Sequence, residues 1–168
     1  LPGRTIVFLE SNNEGFVSNV TSMLNAMNGL TTLVDDNETE IQRDILLMTT
    51  SKNKAFEGKN VSNYDLSNLH FQYPAINFNM ELASAFQEKY LIKFGTFPNK
   101  YAIRGFDLTM DLLLRLSRFG TLYERATDIQ TSYIGNKFKY TLQPNGGYKN
   151  EAGFILKYDD LEIIKVQD

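Results

Sequence analysis

The chain has 168 residues, 42% of them apolar and 22% charged, the mix of one ordinary globular domain or two small ones. Its 17 Lys+Arg against 20 Asp+Glu leave a net charge of -3, which weighs against a nucleic-acid binder. The lack of cysteine removes Cys-ligated zinc, iron–sulfur clusters, redox CxxC chemistry and cysteine nucleophiles, and the single histidine, His70, excludes a multi-His metal site.

The opening Leu1-Pro2-Gly3-Arg4 has no signal-peptide core, so a mature or cut chain is expected. No stretch approaches the ~20 apolar residues of a membrane helix. Thr5 to Leu9 is a continuous β-branched and apolar run, the pattern of a strand buried on both faces. Glu10 to Gly15 are turn and cap residues. A helix should follow, with Phe16, Val20, Met23, Leu24 and Met27 on one face. Asn28-Gly29 closes it, and Leu30 to Val34 reads as a second strand, parallel to the first in a β–α–β unit.

Glu38 to Met48 can be a helix carrying Ile41, Ile45 and Leu46, and Ser51 to Asn63 reads as surface loop. Leu69 to Tyr73 is a short strand stopped by Pro74. The spacing then predicts a helix from Asn79 to Phe94, with Leu82, Ala83, Phe86, Tyr90 and Phe94 in one stripe. A second helix is predicted from Lys100 to Phe119, apolar over most of its circumference. Its polar positions, Arg104, Asp107, Asp111, Arg115 and Arg118, recur at spacings of three and four and should form the one exposed stripe. A short helix is expected around Leu122 to Ala126. Lys137 to Leu142, Gly153 to Tyr158 and Leu161 to Val166 are predicted strands, with Pro144 to Gly147 and Asp159-Asp160 as turns. The class is α/β with antiparallel strands at the end.

Catalytic chemistry finds little footing. His70 has no nucleophile motif such as GxSxG beside it and reads as a surface or half-buried histidine. The carboxylate pairs Asp35-Asp36, Asp107/Asp111 and Asp159-Asp160 fit turns and a helical stripe better than acid/base work. Gly146-Gly147 lies between strands and lacks phosphate-loop spacing. The sequons at Asn19, Asn37 and Asn60 are what chance gives in an Asn-rich chain. The segment Ser11 to Glu14 is the better candidate, because a loop between a buried strand and a helix N-terminus is where open α/β sheets bind ligands. Asp35 and Asp36 should share that edge. Helix capping by Ser11, Asn12 or Asn13 explains the same residues locally.

The run Phe86…Tyr90…Phe94-Gly95…Pro98…Tyr101-Ala102…Gly105-Phe106-Asp107, leading into an apolar helix, resembles the type I periplasmic binding proteins, the family of the leucine/isoleucine/valine receptors. Phe106 stands for the usual Tyr and Leu108 for the usual Ala. Gly146-Gly147-Tyr148-Lys149-Asn150…Phe154…Tyr158 looks like the branch that accompanies LysM cell-wall modules. The resemblance implies that residues 1–168 are a single C-terminal portion of a periplasmic-binding-protein-like I fold. It further implies a non-catalytic ligand-recognition domain in the periplasm or envelope of a bacterium, without a cofactor or metal. Its ligand would be a small molecule or cell-wall fragment held by Ser11, Asn12, Asn13, Asp35 and Asp36, with a membrane transporter as partner and a lipoprotein setting. The alternative is a scaffold or accessory domain of a LysM or peptidoglycan-hydrolase-type protein that has lost small-ligand binding. The two apolar helices within residues 79–119 are expected to support a homodimer.

Overall fold

A computed structural model describes residues 4–34, 40–78, 85–120 and 129–166. In chain order these hold β1 (Arg4–Phe8), α1 (Glu14–Met27), β2 (Thr31–Val34), β3 (Glu40–Gln42), β4 (Asp44–Met48), α2 (Asn63–Asn68) and β5 (Gln72–Ala75). There follow α3 (Ala85–Phe94), α4 (Lys100–Phe119), β6 (Thr131–Ser132), β7 (Lys137–Phe138), β8 (Tyr140–Leu142), β9 (Tyr148–Asn150), β10 (Phe154–Asp159) and β11 (Glu162–Lys165). The fold is mixed α/β and ends in antiparallel strands, as its pattern predicts. It divides into two compact units, Leu1–Pro74 with Ile155–Asp168, and Ala75–Phe154.

The first unit is built on a five-stranded sheet in the order β1-β4-β5-β10-β11, with β1, β4 and β5 parallel and β10–β11 antiparallel. Two sequence expectations change here. The strand beside β1 is β4, with Thr5 opposite Ile45 and Val7 opposite Leu47, whereas β2 pairs with β3 as a separate antiparallel hairpin. The helix expected over Glu38 to Met48 is therefore β3 and β4, its first two residues lying outside the described ones. The four-residue spacing of Ile41 and Ile45 fits a helix, but the unbroken run Ile45 to Met48 is the pattern of a buried strand.

One face of that sheet carries the core. Ile45 and Leu47 are buried, as are Val17 of α1, Leu66 of α2 and the aromatic pair Phe56 and Phe71, stacked at 5.0 Å. Each such side chain contributes roughly 1.5–3 kcal/mol by leaving water. α1 turns Val17 and Thr21 inward and leaves Phe16, Met23 and Met27 exposed, a rotation from the expected face. Thr21 can be buried because its hydroxyl donates to the Ser18 carbonyl at 3.0 Å. Asn28 completes the seam: its side-chain oxygen accepts from the Ile45 amide and its amide donates to the Asn68 carbonyl. The opposite face is uncovered at β1, where Ile6 and Phe8 are exposed, so Thr5 to Leu9 is not buried on both sides.

The aromatic cluster also holds a cation. Lys52 Nζ lies 4.8 Å from the Tyr73 ring centre and 5.2 Å from that of Tyr158, and 3.2 Å from Glu57. Burial works against its charge, but Tyr158, Tyr73 and Glu57 outweigh it and the ammonium titrates above its ordinary value.

In the second unit α4 has the bounds its sequence predicts. The Asn99 side chain accepts from the Tyr101 and Ala102 amides, and Gly120 ends the helix in the left-handed region at φ 70°. α3 is described from Ala85 to Phe94, and residues 79–84, with Leu82 and Ala83, lie outside the described ones, as does the helix expected at Leu122 to Ala126. Two small antiparallel pairs, β6–β7 and β8–β9, complete the unit. The loop at Gly135 passes so close to α4 that a Cβ there would sit 3.1 Å from Ile103 Cγ2.

Candidate docking surface

Ser11, Asn12 and Asn13 lie between β1 and α1, and their oxygens are already engaged. Ser11 Oγ accepts from the Asn13 amide, Asn12 Oδ1 accepts from Asn53 Nδ2 at 2.9 Å, and Asn13 Oδ1 caps α1 through the Phe16 amide at 3.0 Å. Next to them, Glu14 accepts from both the amide and the side chain of Asn60. The Thr50 amide holds the exposed Glu10 carboxyl below the usual range. Asp35 and Asp36 lie outside the described residues. A ligand at this corner would have to displace bonds that tie the loop to α1 and to the turn at Asn53.

The polar stripe of α4 is where the structure departs furthest from the sequence reading. Asp107, Asp111 and Arg115 are buried rather than exposed. Asp107 Oδ2 accepts from the Gly135 amide at 2.9 Å and from Asn136 Nδ2 at 2.9 Å. Asp111 accepts from Arg115 Nε at 2.8 Å, from Thr131 Oγ1 at 2.5 Å and from the Tyr133 hydroxyl at 3.1 Å. Arg115 also donates to the Ile129 carbonyl at 3.0 Å and lies 4.9 Å from the centre of the Tyr140 ring. Burial, and then the Asp111 charge, push the Tyr140 hydroxyl up to about 12 and raise Tyr133 as well. Charges bonded this completely can be buried, and the loop amides need a carboxylate as much as the carboxylate needs them.

The leucines consequently point the other way. At 3.6 residues per turn, all six charged residues of α4 (Lys100, Arg104, Asp107, Asp111, Arg115 and Arg118) fall on the side facing the β6–β7 loop. The far side holds Ala102, Gly105, Phe106, Thr109, Leu113 and Leu116, without a charge. Phe106 touches Phe86 of α3, with ring centres 4.3 Å apart, yet Leu113 and Leu116 remain 56% and 41% exposed. A Cβ added at Gly105 would meet nothing within 4 Å. The expectation that this helix is buried except along its polar stripe is thus inverted. The signal for it was present: Asp and Arg at i,i+4 can neutralise each other inside a protein as well as on its surface.

Other candidates are weaker. A cavity of 320 Å³ beside the network is lined by Leu114, Arg115, Arg118, Phe119, Thr131 and Tyr133, and its buried cation is already neutralised by Asp111. His70 is half-buried at φ 46°, its Nδ1 3.6 Å from Asp159, which itself pairs with Lys157 at 3.0 Å. Asp107 and Asp111 have no exposed surface to offer a substrate. Among the described residues no cluster of His, Asp and Glu could hold a metal ion, and no helix is long and apolar enough to cross a membrane.

No family model and no curated protein matches the chain. Among solved structures it matches the C-domain of LpoA (YraM) from Haemophilus influenzae, a regulator of PBP1A, at 12% identity and a TM-score of 0.45. The match covers 98% of this chain and 45% of that one, so this chain spans less than half the neighbour's length. At that score the likeness transfers neither a fold nor a role. The resemblance to type I periplasmic binding proteins is withdrawn, because no family model matches the chain.

Proposed function

We propose that this chain is a non-catalytic scaffold or accessory domain of an envelope protein, assembling through α4, rather than a receptor for a small solute. The observation that carries the reading is the inverted helix. Asp107, Asp111 and Arg115 are spent inside the second unit, while an uncharged face with Leu113 and Leu116 is left to the outside. Large exposed apolar surface of this kind marks interaction sites. The occupant we propose is a second copy, because the face is complementary to itself. If two α4 helices cross antiparallel about Thr109, Leu113 of each copy lies opposite Gly105 of the other, and Leu116 opposite Ala102. Large side chains then meet open positions, and no like charges face each other.

Gly105→Leu tests this. The new side chain enters open space, and leucine is the better helix former, so the fold should hold or gain up to ~1 kcal/mol. The same side chain fills the position that Leu113 of the second copy needs. Sedimentation velocity at micromolar concentration should show a dimer for the native chain and a monomer for Gly105→Leu. A native monomer, or a dimer that survives Gly105→Leu unchanged, would overturn the assignment.

A further inference from the structure

The net charge of -3 conceals a division along the chain. The first unit carries 7 Lys+Arg against 13 Asp+Glu, net -6, and the second carries 10 against 7, net +3. Asp107 and Asp111 of the second unit are buried, which makes its surface more basic still. The cations gather at the turn between α3 and α4. From Lys89 to Phe106 the chain has Lys89, Lys93, Lys100 and Arg104 and no acid, Glu88 lying just before the stretch. None of these four pairs with a carboxylate among the described residues.

The same turn carries four exposed large apolar side chains. Ile92 is 84% exposed, Tyr101 71%, Phe97 66% and Phe94 56%. Single exposed apolar residues are ordinary, but four within ten positions are not. The turn is held in shape rather than left loose: the Gly95 amide, at φ 70°, donates to the Leu91 carbonyl at 2.8 Å, and Asn99 caps α4. Lys93 Nζ lies 5.4 Å from the Phe94 ring centre and Lys100 Nζ 5.2 Å from that of Tyr101, so each ammonium stands at the level of an aromatic ring.

We infer that the α3–α4 turn is an anchor for an anionic lipid surface, inserting Ile92, Phe94, Phe97 and Tyr101 among the acyl chains and placing Lys89, Lys93, Lys100 and Arg104 at the headgroup phosphates. Apolar tip, aromatic collar and basic rim are the three parts that interfacial binding uses. An acidic peptide would satisfy the cations but needs a groove for its apolar side chains. Side chains more than half exposed line no groove; they project. A bilayer accepts projecting groups. The anchor lies on the membrane without spanning it, and its residues are other than the Gly105 and Leu113 on which the self-assembly face rests.

Co-sedimentation of the full chain with vesicles decides it. Binding is expected to vesicles that mix phosphatidylglycerol with phosphatidylcholine, and not to phosphatidylcholine alone. Lys93→Glu with Lys100→Glu should weaken it on the order of a hundredfold. Ile92→Ser with Phe97→Ser should weaken it about tenfold with the charges intact, because less apolar surface enters the acyl region. All four positions are exposed, so far-UV circular dichroism should match the native chain. Equal binding to both vesicle types, no loss in either variant, or binding to poly-glutamate but not to vesicles would overturn the anchor.

Discussion

In the first unit α1 turns Val17 and Thr21 inward, and most of the buried side chains of that unit are aliphatic or aromatic. In the second unit α4 turns Asp107, Asp111 and Arg115 inward and leaves Leu113, Leu114 and Leu116 outside. Both helices are amphipathic, yet only one follows the rule that apolar faces go in. The difference lies in what each helix meets. α1 meets α2 and the helical turn Lys54–Glu57, whose backbone groups are bonded within their own turns, and needs mainly shape and area. α4 meets a loop, residues 133–136, whose amides have no ladder to join and require an acceptor. A carboxylate supplies one, and the helix must then bury its charged side. A charged stripe shows that a helix has two different faces; it does not show which of them is wet.

The sharpest way to break this contrast is to remove the centre of the network. Asp111→Ala leaves the Arg115 guanidinium buried without its counter-charge, and should cost about 3–5 kcal/mol. Urea denaturation checks it; a loss under 1 kcal/mol would mean that the stripe is wet after all. The matching cut in the first unit is Leu47→Ala, expected to cost about 2–5 kcal/mol through lost transfer energy and a cavity. The two variants should differ in kind. Leu47→Ala should be nearly independent of salt, whereas native and Asp111→Ala chains should diverge least where Arg115 is best solvated.

Alkaline pH sharpens the contrast by acting on the second unit. Tyr140 is pushed up to about 12, first by burial and then by Asp111. An unfolded tyrosine titrates near pH 10. A folded value raised above the unfolded one contributes stability that is complete below about pH 10 and is lost as pH rises toward about 12. The native chain should therefore lose stability across that window. Tyr140→Phe should flatten the loss, while a Leu47→Ala chain should keep the native slope.

How much of this the sequence disclosed depends on whether the cause was local. The bounds of α4 were legible because Asn99 and Gly120 act on their own neighbours. The turn between β10 and β11 was legible for the same reason, though expected at Asp159-Asp160 and found one residue later, at Asp160-Leu161, with φ of 46° and 68°. The strand β4 was not: four apolar residues suit a helix or a buried strand equally, and the choice was made by β1 alongside it. The fate of β2 was decided by its pairing with β3 rather than by its apolar run. Ser11 to Asn13 were placed correctly between strand and helix, and the cap that Asn13 makes is local, but Asn53, which binds Asn12, is 41 residues away. The inward turn of α4 is the extreme case, since Thr131, Tyr133, Gly135 and Asn136 all lie 20 or more residues beyond the carboxylates they bind or share.

Arg118 gives the smallest effect and a clean control on the largest. It follows Arg115 by three residues on the same side of α4, so helical spacing treats the two alike. Their surroundings differ. Arg115 is 4% exposed and bonded to Asp111, whereas Arg118 is exposed and its guanidinium lies 5.4 Å from the Phe119 ring, a neighbour on its own helix. Water already solvates Arg118, so deleting it strands no buried charge. Arg118→Ala should change stability by about 0.5 kcal/mol or less. A thermal or urea midpoint within error of the native chain is the expected result. A loss comparable to that of Asp111→Ala would place Arg118 inside the network, and would mean that the inward face of α4 extends a full turn further toward Gly120 than its burial shows.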